Sequence, residues 1–152
     1  MIEELFANSP IFEDLEPHEL EKVVRVCDII EMKHGEFVFR EGDAGDRFYM
    51  IAEGAVRISR NIPGSGEEAL VVLKSGACFG EMAIFDEMER SADAIVDTRS
   101  LLLTITREAF KELLGSDKEL AHKVLWSVCR LLSERLRASN EQLRSIMVMA
   151  MF

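Results

Sequence analysis

Residues 76–92 read GACFGEMAIFDEMERSA, and this stretch decides how the rest of the chain is interpreted. Gly80 lets the backbone approach a ligand closely, and residues 81–85 are predicted to form a single helical turn whose first N–H groups favour an anion. The planar guanidinium of Arg90 can contact two phosphate oxygens, and Ser91 adds a hydroxyl donor. The stretch therefore predicts a site for a nucleotide with few negative charges, in which Glu81 accepts a hydrogen bond from a sugar hydroxyl.

Short segments rich in Val, Ile, Phe and Leu lie on both sides of this stretch, separated by glycines. Residues 61–66 contain Pro63 and two glycines and are predicted to form a hairpin loop. Many short strands at nearly regular spacing are typical of a β-sandwich, barrel or jelly roll. The predicted strand segments are Glu36–Arg40, Arg47–Ile51, Ala55–Arg60, Glu68–Lys74, Ala92–Val96 and Leu101–Thr106.

Helical patterns flank the predicted strands. Pro17 suits the first turn of an N-terminal helix, and Thr106 suits the N-cap of a helix that runs to Gly115. A longer helix is predicted after Ser116 and Asp117, with a wide apolar stripe that can serve two surfaces, one on the barrel and one on a partner helix. The stripe consists of Leu125, Val128, Leu132, Leu136, Leu143 and Met147.

The charge distribution limits the classes of partner. The net charge is −10, yet residues 120–152 carry +3, which leaves −13 on residues 1–119. An acidic body repels nucleic acid, whose binding depends on many Lys and Arg contacts to phosphates. The sequence shows no signal peptide and no apolar run long enough to span a bilayer, so we expect a cytoplasmic protein without a membrane partner.

Residues 79–83 followed by Arg90-Ser91-Ala92 resemble the phosphate-binding cassette of cyclic-nucleotide-binding domains. These domains occur in the bacterial catabolite activator protein, in protein kinase A regulatory subunits and in nucleotide-gated channels. The resemblance covers almost the whole chain. Ser9–Phe12 with Leu15 is similar to the family's opening helical segment, Gly35–Asp43 to its first barrel strands, and Phe48–Val56 to its Tyr-x-Ile-x-x-Gly-x-Val strand pair.

The resemblance implies a fold and an organisation. We expect a mainly β fold, an eight-stranded jelly-roll barrel (double-stranded β-helix) with N-terminal helices and a long C-terminal helix. Residues 1–119 would form the cyclic-nucleotide-binding β-roll with its N-terminal helical segment. Residues 120–152 would form a helix of the same domain that closes over the ligand and builds a parallel homodimer. Because no helix-turn-helix follows this helix before Phe152, we expect no direct binding to nucleic acid.

The resemblance also implies roles for individual residues. Glu81 would bind the ribose 2′-hydroxyl, and Arg90 the exocyclic oxygens of the cyclic phosphate. Asn140 stands where the catabolite activator has a hydroxyl residue, and Val71 replaces a polar residue near the base, so both depart from that pattern. The remaining ligand contacts would come from Gly80, the backbone near Met82, Ala83 and Ala92, the Ser91 hydroxyl, the apolar Leu70 and Phe79, and the base-facing Ser139 and Asn140.

The sequence therefore predicts a regulatory sensor of cAMP, with cGMP as the other possible ligand, that is not an enzyme and carries no cofactor. The alternative is a degenerate cassette on a ligand-free scaffold that acts in protein–protein interaction. A jelly-roll metalloenzyme is disfavoured, because the three histidines are isolated from one another along the chain and from any clustered ligands. The downstream protein partner is not specified by any motif.

Overall fold

The computed structural model describes residues 2–152 of the chain and contains five helices and six strands within that range. The sheet is flanked by two short N-terminal helices and ends in two C-terminal helices. The helices are α1 (Ile2–Ala7), α2 (Pro17–Arg25), α3 (Met82–Asp86), α4 (Arg107–Ser116) and α5 (Lys118–Met151). The strands are β1 (Asp28–Met32), β2 (Phe37–Phe39), β3 (Arg47–Ile62), β4 (Gly66–Lys74), β5 (Cys78–Phe79) and β6 (Asp93–Thr106).

All pairings in the sheet are antiparallel. The order is β1-β6-β3-β4, with β2 paired to β6 and β5 paired to β3. β3 and β6 each join two of the predicted segments, because the pairing continues through register shifts between Ile51 and Val56 instead of stopping there. Counted as the separate segments, the strands number eight. The mainly β fold with N-terminal helices and a long C-terminal helix is confirmed.

The local predictions for strands and turns differ from the structure in four places. Neither β1 nor the two-residue β5 is among the predicted strand segments. The hairpin between β3 and β4 is tighter than residues 61–66, since β3 continues to Ile62 and β4 begins at Gly66. Residues 9–15 form consecutive turns instead of a helical segment: the Phe12 N–H donates to the Ser9 carbonyl, and the Leu15 N–H to the Phe12 carbonyl, both at 3.0 Å.

Two apolar clusters hold the fold together. The smaller one lies within the sheet, beside the segment that carries the candidate site, and it includes Tyr49 and Phe79. The larger one joins the N-terminal segment to the sheet, α4 and the start of α5. Its fully buried side chains include Phe6, Phe12, Met50, Ile105, Phe110, Leu120 and Val124.

The C-terminal helices begin as the sequence predicts. Thr106 Oγ1 accepts a hydrogen bond from the Ala109 N–H at 3.2 Å, and Asp117 Oδ1 accepts one from the Leu120 N–H at 3.0 Å. The first turns of α5 are held against α2, where Lys123 Nζ lies 2.9 Å from the buried Glu19 carboxylate. From Leu132 onward every residue of α5 is exposed. No helix in residues 2–152 is long and apolar enough to cross a membrane.

Candidate functional site

A cavity of about 470 Å³ opens between the end of β5, α3, the start of β6 and α5. Phe79 is the last residue of β5, the chain changes direction at Gly80, and α3 begins two residues later. The first N–H groups of α3 have no hydrogen-bond partner within the helix, because they lie at its N-terminus. The chain then returns through an exposed loop to Arg90. The lining consists of Phe39, Ile58, Leu73, Cys78, Phe79, Gly80, Glu81, Met82, Ala83, Asp86, Met88, Glu89, Arg90, Ser91, Ala92 and Arg135.

Arg90 is the buried cation of this cavity, with only 6% of its surface exposed. Its Nη1 donates to the Gly80 carbonyl oxygen at 3.0 Å, its Nη2 donates to the Arg47 carbonyl oxygen, and its buried Nε has no partner. The guanidinium carbon lies 4.2 Å from the centroid of the Phe39 ring. Burial lowers the pKa of Arg90, because removal from water disfavours the charged form.

Glu81 is a buried carboxylate at the entry to α3, and it is held by the C-terminal helix. Its Oε1 accepts a hydrogen bond from Arg135 Nη2 at 2.6 Å. The Glu81 side chain is 9% exposed and that of Arg135 is 50% exposed, so the pair stands at the wall of the cavity. This contact joins the segment of residues 79–92 to α5 across 54 positions of sequence.

Aromatic rings form the wall behind the two charged groups. The rings of Tyr49 and Phe79 stack with centroids 5.2 Å apart and an interplanar angle of 11°. Phe39 packs against both, with centroid distances of 5.9 and 6.0 Å. Burial raises the pKa of the Tyr49 phenol, so it stays neutral beside Arg90. This ring packing holds the Phe79 side chain in place and thereby positions the turn at Gly80.

The structure brings most of the predicted site residues together. Eight of the nine main predictions line the cavity: Phe79, Gly80, Glu81, Met82, Ala83, Arg90, Ser91 and Ala92. Leu70 does not line it; it is 57% exposed and lies at a register shift of β4, opposite Ile58 and Ser59 of β3. Ser139 and Asn140 are exposed on α5 outside the lining, about one turn beyond Arg135.

Sequence reasoning missed Arg135 and part of the apolar lining. Arg135 lies in a helical stretch whose pattern shows only an apolar stripe, and its contact with Glu81 depends on where α5 docks. Phe39, Ile58 and Leu73 come from three separate strands, so only the register of the sheet brings them to one cavity. No local motif signals any of these four residues.

The profile of the family described as "Cyclic nucleotide-binding domain" matches residues 29–117, more than half of the chain. The chain belongs to this family. The matched range runs from the second residue of β1 through β6 and α4, and therefore includes all of the cavity except the contribution of Arg135.

Relatives of this cyclic-nucleotide-binding domain include transcription regulators. The chain is 30% identical over 145 residues to the CRP-like cAMP-activated global transcriptional regulator of Mycobacterium tuberculosis, which covers 95% of this chain and 63% of that protein. It is 34% identical over 135 residues to the cyclic AMP receptor protein of Thermus thermophilus, covering 89% and 61%. The crystal structure of the Thermus thermophilus catabolite activator protein aligns with a TM-score of 0.80 at 32% identity, covering 90% and 62%. The chain thus spans about three fifths of the length of these relatives.

Proposed function

We propose that this domain is a cAMP sensor in which Arg90 binds the cyclic phosphate and Glu81 binds the ribose 2′-hydroxyl. The observation that carries the proposal is the placement of a buried guanidinium and a buried carboxylate in one cavity, both next to Gly80. The names of the Mycobacterium tuberculosis and Thermus thermophilus relatives point to cAMP in particular. The N–H groups of Met82, Ala83 and Ala92 and the Ser91 hydroxyl complete the phosphate contacts.

The charges around the cavity favour a ligand with a single negative charge. Two guanidinium groups and three carboxylates line it, and Arg135 is already paired with Glu81. Asp86 and Glu89 add negative charge at the exposed loop. A cyclic phosphodiester carries one negative charge, which Arg90 alone neutralises, whereas a nucleoside mono- or triphosphate carries more and is repelled.

The Glu81–Arg135 pair provides a way for the ligand to act on α5. When Glu81 accepts a hydrogen bond from the ribose, its interaction with Arg135 weakens or rearranges, because both donors compete for the same carboxylate. The free energy of ligand binding then differs between two positions of α5, which is the condition for coupling. Movement of α5 brings Ser139 and Asn140 toward the base and closes the cavity.

The output of the sensor is transmitted to another protein or to a second copy of the chain. The exposed apolar residues of α5 suit a parallel homodimer, and residues 120–152 act as both lid and dimerisation helix. The β-roll of residues 1–119 supplies the binding site. No chemical reaction, metal or cofactor is part of this proposal.

Isothermal titration calorimetry with cAMP, cGMP and a cyclic dinucleotide tests the proposed ligand. We expect cAMP to bind most tightly. Arg90→Ala should weaken binding about thirtyfold or more, since truncation of one partner of a buried charged pair costs about 2–5 kcal/mol. Arg99→Ala is the matched control, because Arg99 is an exposed arginine that pairs with Glu31 outside the cavity. Unchanged affinity in the folded Arg90→Ala protein would reject the assigned pose.

A ligand-free scaffold is the second candidate, and one observation favours it. Both key groups already have internal partners, since Arg90 donates to two carbonyl oxygens and Glu81 accepts from Arg135. Thermal denaturation separates the two candidates. A ligand at one hundred times its dissociation constant stabilises a folded protein by about 2.7 kcal/mol. The scaffold predicts no change in melting temperature at millimolar cyclic nucleotide.

A further inference from the structure

Arg107, the first residue of α4, lies behind the segment of residues 79–92 and ties it to a loop. Its Nη2 donates to the carbonyl oxygen of Ala83 at 2.9 Å and to that of Gly45. Its backbone N–H donates to the Asp46 carbonyl oxygen at 2.8 Å. One residue of α4 therefore connects α3 to the loop between β2 and β3.

The same loop also holds Arg90. The Gly42 N–H donates to the Arg90 carbonyl oxygen at 2.9 Å, and the Arg90 N–H donates to the Asp43 carbonyl oxygen at 2.8 Å. At the end of the loop, the Arg47 carbonyl accepts a hydrogen bond from the Arg90 guanidinium. Residues 42–47, which we call the 42–47 loop, are thus hydrogen-bonded both to Arg90 and, through Arg107, to α3. These are the two parts of the proposed phosphate site.

The 42–47 loop packs so closely against α3 that there is no room for a side chain at Gly45. A Cβ atom placed on Gly45 would lie 2.1 Å from the Ala83 Cβ and 2.8 Å from the Met88 carbonyl oxygen. Hydrogen bonds donated by a charged group are stronger than those between neutral groups. The Arg107 guanidinium therefore keeps α3 at this short distance from the loop, with its Nε buried and without a partner.

We propose that Arg107 is a positioning residue for the phosphate site, an inference that rests on the proposed function. Arg107 lies outside the lining of the cavity, so it would act without touching the ligand. It sets the separation between the N–H groups of Met82 and Ala83 on one side and the Arg90 guanidinium on the other. A phosphate is bound by both sides at once only at the correct separation.

Two substitutions of Arg107 and one matched control test this role. Arg107→Lys keeps the charge but places a single ammonium where the guanidinium reaches two carbonyl oxygens. Arg107→Met removes both hydrogen bonds. Lys111→Met is the control, because Lys111 also lies on α4 and joins it to Glu87 just after α3, by an exposed ion pair of 2.8 Å. The readouts are the cAMP dissociation constant by calorimetry and the backbone amide NMR shifts of residues 82–86.

We expect Arg107→Lys to bind cAMP about tenfold more weakly, Arg107→Met at least as weakly, and Lys111→Met as the wild type does. The amide shifts of residues 82–86 should change in both Arg107 variants and not in the control. If Arg107→Met does not fold, Arg107→Lys decides alone, and wild-type affinity in that variant overturns the proposal. If the wild-type protein binds no cyclic nucleotide, the proposed function fails, and unchanged amide shifts in Arg107→Lys overturn the positioning role independently.

Discussion

Gly80 illustrates how the backbone conformation of one residue determines the position of another. Its φ is +77°, a conformation that side chains disfavour, and an added Cβ would lie 2.6 Å from Arg90 Nη1. Glycine at this position therefore lets the Arg90 guanidinium reach the Gly80 carbonyl oxygen. The geometry of the site therefore depends on glycine at position 80 as well as on Glu81 and Arg90.

Gly80→Ala should weaken cAMP binding about tenfold or more, because the added methyl group displaces the Arg90 guanidinium. Gly64→Ala is a close control, since Gly64 also has a positive φ, +84°, but open space around the position of its Cβ. Both variants should lose stability from backbone strain, by about 1 kcal/mol. Only Gly80→Ala should lose affinity in calorimetry, and equal affinities of the two variants would contradict the prediction.

The sequence predicts most residues of the candidate site because these residues lie close together along the chain. Glu81 and Arg90 are nine positions apart on the two sides of α3, and both belong to the segment whose resemblance to the phosphate-binding cassette predicts a common site. Arg135 was missed because its role is set by the docking of a helix 54 positions away. Leu73 lines the cavity, whereas Leu70 lies at a register shift of β4 and is exposed, and no local residue pattern specifies where that shift falls.

Among the elements, α5 has two parts with different surroundings. Its first turns bury Leu120, Val124 and Val128 and are held by the Lys123–Glu19 ion pair to α2, whereas every residue from Leu132 onward is exposed. Arg135 lies just beyond the boundary between these parts and contacts Glu81. In the proposed coupling, a ligand that competes for Glu81 would therefore act where the helix stops packing against the body of the domain.

Arg135→Gln should uncouple α5 from the ligand. Trp126 is the single tryptophan of the chain, and it lies exposed on α5, so its fluorescence reports on the surroundings of this helix. In the wild-type protein we expect cAMP to change the emission of Trp126; in Arg135→Gln the change should be lost while binding persists. Arg144→Gln, which removes another exposed arginine of α5, should respond as the wild type does. A full response in Arg135→Gln would exclude this route of coupling.

Asp117 makes the junction between α4 and α5 sensitive to acid. Lys22 Nζ lies 2.7 Å from Asp117 Oδ2, and this contact, with the hydrogen bond from the Leu120 N–H, lowers the pKa of the carboxyl. A lowered pKa in the folded state stabilises the fold above the unfolded value of about 3.9, and the contribution is lost as pH falls through the folded value.

Asp117→Asn retains a side-chain oxygen for the N-cap but does not titrate. The wild type should melt at a higher temperature than Asp117→Asn at pH 7, and the difference should shrink below about pH 4. Glu21→Gln, which removes a carboxylate in an exposed ion pair with Arg25, controls for the loss of one negative charge. A difference in melting temperature that stays constant from pH 7 to pH 3 would contradict this assignment.

For the whole molecule, the exposed part of α5 is a long helical surface that the single chain leaves without a packing partner. Leu136, Leu143 and Met147 are 63%, 58% and 65% exposed, and with Asn140 they follow the alternating four- and three-residue steps of a coiled coil. Residues 132–151 extend about 30 Å as a helix, enough for nearly three heptads. A polar Asn within such an apolar stripe favours one register and two strands, at some cost in stability.

We therefore expect sedimentation equilibrium to give about twice the chain mass of 17.2 kDa at micromolar concentration. Leu136→Glu combined with Leu143→Glu should give a monomer, because two carboxylates in each helix would face each other across the apolar seam. Ser145→Glu places one carboxylate outside that stripe on the same exposed helix and should remain a dimer. A wild-type monomer, both with and without cAMP, would contradict the proposed dimer. The proposal would then keep α5 only as a lid within one chain, because residues of a single copy already line the cavity.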